Sequence, residues 1–181
     1  MEYRTGKTGP AGDAEAARRL SPYQEPLRLY LKQQLAAAAQ TGGYTVRAAA
    51  AYSALRLEDA LSRPSESFSE LLLRRIDERG MTHADAYKKA GVDRKAFNKI
   101  KGNRDHRPSK ATVILFIFAL ELEPGEAEEL LASAGYALSP SVISDLIIRF
   151  FLENGVYDTD LVNEALYEHG QPVLLRVIGT E

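Results

Sequence analysis

The chain reads as an all-α protein, and three features of the sequence predict that class. Apolar residues return at three- and four-residue intervals in one segment after another. Nearly every segment opens on a capping residue or closes on glycine. No stretch alternates apolar and polar residues for long, so no strand is expected.

Taken in order, the first 20 residues are rich in Gly, Ala and charge without an apolar period, and are expected to form a disordered lead-in. Residues 21–64 read as an Ala-rich helical extension that ends in a linker. Within it, Pro26 begins PLRLYLKQQLAAAA, with Leu27, Tyr30, Leu31 and Leu35 on one face, and Gly42-Gly43 interrupts it. A second helical stretch, TVRAAAAYSALRLEDAL, runs up to the linker SRPSES.

Residues 65–181 are more regular. SFSELLLRRIDERG sets Phe68, Leu71, Leu72 and Ile76 at helical spacing and ends on Gly80. Thr82 is an N-cap for HADAYKKA, and Gly91 closes that short helix. Asp93 caps RKAFNKIK, which stops at Gly102-Asn103. A basic loop leads to Pro108-Ser109, which open ATVILFIFALEL. Pro124 stands at a first helical position, with Glu126 in the first turn, and that helix ends at Gly135. Ser139-Pro140 open SVISDLIIRFFLENG, and Asp158 or Thr159 opens TDLVNEALYEHG.

Two of these stretches are unusually apolar. VILFIFAL, residues 113–120, is apolar all round, which fits a central buried helix better than an interface stripe. In LIIRFFL, Phe150 and Phe151 cannot both point inward unless further helices cover them. That hints at self-association or a docking groove.

The formal net charge of -2 conceals a segregated distribution. Between Lys88 and Lys110, nine basic residues face only Asp93 and Asp105, a local balance of +7. From Ala111 onward, twelve acids face Arg149 and Arg176, a balance of -10. Such segregation implies a directional partner. The chain has no cysteine, which excludes disulfides, thiolate catalysis and cysteine-ligated zinc. Neither a signal peptide nor a membrane span is expected, and the expected location is the cytoplasm.

The basic segment has internal order. Two short helices joined by a glycine-containing turn and followed by a basic loop make a helix-turn-helix pattern. HADAYKKAGVDRKAFNKIKGN resembles, without gaps, the phage-repressor (Cro/C1-like) form of that motif. Gly91 falls at the turn glycine, and Val92, Phe97 and Ile100 at the buried positions. RPSKATVILFIFALELEPGEAEELL resembles the fourth and fifth helices of that family. The likeness implies a five-helix repressor-like core, here extended by two C-terminal helices. One departure is Tyr87, which stands where a small residue is usual, while Ala86 and Ala90 occupy slots that are usually Leu. This exchange of volume implies a shifted helix crossing.

A longer likeness runs from SESFSELLLRRIDERGM through YKKAGVDRKAFNKI, DLIIRFFLENGVYD and NEAL to QPVL. It resembles a C-terminal module of bacterial proteins, often appended to macro, von Willebrand-type or other signalling domains. That resemblance implies a partner-docking or localisation element in bacterial stress or anti-phage signalling.

The repressor likeness implies a site. Arg94, Lys95 and Asn98 are the groove-facing candidates, since Arg matches guanine O6/N7 and Asn matches adenine N6/N7. His83 falls at a phosphate-contacting place. Lys99, Lys101, Arg104, Arg107 and Lys110 are expected to follow the DNA backbone. The implied partner is duplex DNA, with a homo-oligomer or protein partner on the C-terminal helices. The second reading is an adaptor whose helix-turn-helix and C-terminal helices dock proteins.

No chemistry competes with these readings. His83, His106 and His169 lie on different elements without metal-ligand spacing. GKT at residues 6–8 lacks the glycine and the strand of a phosphate-binding loop. No nucleophile or acid–base pair stands out. The expectation is a non-enzymatic protein with no catalytic residue, cofactor or metal.

Overall fold

The computed structural model describes residues 10–40 and 66–174. The second Ala-rich stretch and the GKT fragment lie outside them. Eight helices run through the described residues, and no strand occurs among them: α1 (Pro10–Gln40), α2 (Phe68–Glu78), α3 (His83–Lys89), α4 (Arg94–Gly102), α5 (Lys110–Ala119), α6 (Pro124–Ser133), α7 (Ile143–Glu153) and α8 (Thr159–Glu168). The all-α class expected from periodicity and caps is the one found.

Five of the helices are capped by side chains. Thr82, Asp93 and Ser109 accept hydrogen bonds from the backbone N–H groups of Asp85, Ala96 and Thr112. Ser67 and Glu70 form a reciprocal capping box at the start of α2. Asp158 accepts from the N–H groups of Asp160 and Leu161 and opens α8. α7 begins three residues beyond Pro140, with Val142 at its N-cap, so Ser139-Pro140 belong to the turn before it.

α5 is the centre of the molecule. Residues 113–120 are buried throughout, as their all-apolar character predicts. α5 packs on α3 and α6, α2 packs on α3, α4 and α6, and α7 joins α6 to α8. α2 and α6 are also tied by charge. Arg75 reaches Glu126 at 3.0 Å and Glu129 at 2.7 Å, and Arg79 reaches Glu126 at 2.6 Å.

The N-terminal segment departs from expectation. Residues 10–20, read as a disordered lead-in, are part of α1, and Pro22 and Pro26 lie inside the helix. The starting signal assigned to Pro26 is therefore overridden. A proline inside a helix removes one amide donor and crowds the carbonyl four residues back, at a cost of about 3 kcal/mol. Packing offsets that cost. Leu20, Tyr23, Leu27, Tyr30 and Leu31 form one stripe directed at α7 and α8, while both prolines face solvent. Leu35, expected on that stripe, is exposed.

This stripe resolves the problem of the paired phenylalanines. Phe150 and Phe151 are both buried, at 4 % and 0 % exposure. Tyr30 meets Phe150 edge-on at 5.5 Å between ring centroids, and Tyr23 lies tilted against Phe151 at 5.8 Å. Arg19 pairs with Asp158, and Gln24 donates to Glu168 at 3.0 Å. The face left open to self-association by the sequence is covered by the chain's own first helix.

Candidate nucleic-acid interface

α3 and α4 are joined by Ala90, Gly91 and Val92. The N–H of Gly91 donates to the carbonyl of Lys88 at 3.0 Å, and that of Val92 to the carbonyl of Tyr87 at 2.9 Å. This pair of bonds closes α3 in a Schellman motif and places Gly91 at φ 64°, a left-handed conformation that glycine adopts without a Cβ clash.

The inner side of the unit is aromatic. Phe97 is 2 % exposed and sits among three rings: His83 at 5.6 Å, Tyr87 at 5.5 Å and Phe116 at 6.1 Å. Ala86, Ala90, Val92 and Ile100 complete the buried side. Tyr87 thus fills part of the space left by the two small residues and remains half-buried. His83 is also half-buried, its ring tilted against Phe97.

The outer side carries the charge. Arg94, Lys95, Asn98, Lys99 and Lys101 are all exposed, and helical periodicity puts them on one face of α4. None of these four cations is ion-paired with a described residue. Their basic neighbours differ. Lys89 binds Glu121 at 2.6 Å, Arg104 approaches Glu70 at 3.4 Å, and Lys110 binds Asp145 at 2.7 Å. The backbone N–H and hydroxyl of Ser67 hold the Glu70 carboxyl below the usual carboxylate range, with Arg104 adding to the effect, so Arg104 faces an ionised partner.

The nine residues expected to form the site therefore divide. Lys95, Lys99 and Arg107 line a groove of about 420 Å³ between α4 and the start of α5, with His106 beside them. Asn98 and Lys99 line a second hollow of about 360 Å³ at the end of α4. Arg94 and Lys101 complete the exposed face. Arg107 is exposed and lies over Gly135, where a Cβ would stand 3.8 Å from its Nη1. His83 is turned to the aromatic core, and Lys110 is directed to α7.

Two contributors are not visible in the local sequence. His106 lines both hollows, although it reads as a scattered surface histidine. Asp145, 35 residues from Lys110, decides where that lysine points. Neither position has a periodic or capping signal that would single it out.

Compared with family models, curated proteins and solved structures, the chain matches none. The site is therefore read from its own geometry.

Proposed function

We propose that this chain is a non-enzymatic, cytoplasmic regulator that binds duplex DNA through α3 and α4 in the manner of a repressor-like helix-turn-helix. The observation that carries this reading is the uneven neutralisation of charge. Lys89, Arg104 and Lys110 around the motif are paired with carboxylates, whereas Arg94, Lys95, Lys99 and Lys101 on the outer face of α4 are left in solvent. A face of unpaired cations attracts a polyanion and gains affinity by releasing its counterions.

The first turn of α4 would enter the major groove with Arg94, Lys95 and Asn98 toward base edges. Lys99, Lys101, Arg104 and Arg107 would lie along the phosphates. Lys110 is already engaged by Asp145, and His83 would act at the rim of the contact.

Fluorescence anisotropy with a random duplex tests the reading. Four phosphate contacts predict that log K falls against log salt with a slope of about -3.6. Lys95→Glu combined with Lys99→Glu should abolish binding while leaving the helical circular dichroism intact. No binding by the native chain at about 50 mM salt would refute the proposal. The basic face would then pass to the second reading, the docking of an acidic protein partner.

A further inference from the structure

Asp145 is the one acidic side chain buried among the described residues, at 5 % exposure. Both its carboxylate oxygens accept from Lys110 Nζ at 2.7 Å, and one accepts from the backbone N–H of Ser139 at 2.8 Å. A buried ion pair is often no better for stability than two well-packed apolar side chains. Stability alone gives no reason for a charge at this point. Its location does.

Lys110 is the first residue of α5, and the basic loop of residues 103–109 ends against it. Two residues earlier, the carbonyl of Pro108 accepts from the Tyr136 hydroxyl at 3.0 Å. The strand of loop that follows Tyr136 is held in turn by Arg149, which donates to the carbonyl of Leu138 at 2.8 Å. The downstream end of the basic loop is thus fastened from the α7 side, and Asp145 makes the charged link. The loop carries Arg104 near its upstream end and Arg107 next to Pro108, and the groove beside α4 depends on where His106 and Arg107 lie.

We infer that Asp145 is a positioning residue for the nucleic-acid face: it holds Lys110 against α7 and sets the basic loop against α4. This inference rests on the DNA reading of that face. Without the clamp the loop samples more arrangements, and binding must then order its cations. Lys110 itself makes no phosphate contact in this arrangement, so the number of neutralised phosphates is unchanged.

The test uses the full chain with Lys110→Met and Asp145→Leu combined, a charge-neutral replacement that keeps the site filled. Asp145→Asn serves as the second variant, retaining the acceptor oxygen without the charge. For the combined variant, near-native thermal unfolding is expected alongside DNA binding about tenfold weaker, with the salt slope unchanged. Amide hydrogen exchange in residues 103–109 should be about tenfold faster, with or without DNA. Native affinity together with native loop exchange in both variants would overturn the inference. So would a salt slope reduced by about 0.9, since Lys110 would then be a phosphate contact. Faster loop exchange in a protein whose native form ignores DNA would refute the DNA reading and uphold the clamp.

Discussion

At the scale of single residues, two positions with the same backbone shape make opposite predictions. Gly91 closes α3 at φ 64°, and Glu121 closes α5 at φ 51°. A side chain in this left-handed region costs about 1–2 kcal/mol, because its Cβ crowds the following carbonyl oxygen. Gly91→Ala should therefore lower stability by roughly 1 kcal/mol, after the gain from a stiffer unfolded chain is set against that strain. Glu121→Gly should raise it by as much as about 1 kcal/mol. The lost pair with Lys89 subtracts little, since both partners are about half exposed. Urea midpoints for the two variants check this directly, and shifts of the same sign would contradict it.

At the scale of elements, the α2–α6 contact is governed by ionisation. Burial of the Glu126 carboxyl opposes its charge, but the Glu123 N–H, Arg79 and Arg75 outweigh burial and hold it below the usual carboxylate range. A carboxyl lowered on folding contributes stability above its unfolded value of about 4.3. That contribution disappears as pH falls through the folded value. Stability should thus decline below about pH 5, and Glu126→Gln should be weaker at neutral pH with a flatter acid limb. Chemical unfolding at a series of pH values measures both, and parallel curves for the two proteins would exclude the assignment. Arg75 strengthens the case, because its side chain is 12 % exposed and bridges three glutamates. The more exposed pair between Arg74 and Glu66 has little bearing on the fold.

At the scale of the whole molecule, α1 is what closes the C-terminal helices. Burial, with the Glu153 carboxylate beside it, pushes the Tyr30 hydroxyl up to about 12, as expected for a phenol set into an apolar contact. Leu27 is 1 % exposed in the same contact. Leu27→Ala should lower global stability by about 2–4 kcal/mol, through lost burial and the cavity left behind. Circular dichroism should show one shifted cooperative transition. An unshifted main transition, with proteolysis inside residues 10–40, would mean that α1 opens as a unit of its own.

Much of this protein is decided by short-range order. Helical spacing and capping chemistry act over three or four residues, so the sequence alone determines the seven helices from α2 onward in type and order. The same locality makes the split of α4 legible, with Phe97 and Ile100 inward and Arg94, Lys95, Asn98 and Lys99 outward. The tertiary structure decides what depends on distant partners. Pro26 reads locally as a helix start, yet α1 runs through it because α7 and α8 bury a stripe reaching back to Leu20. Lys110 reads as one more surface cation until Asp145 meets it from 35 residues away. Arg19 and Asp158 are 139 residues apart, beyond the reach of any periodic signal. A repeat in sequence reports which side of a helix is apolar; only folding determines which helix covers it and which charge is cancelled.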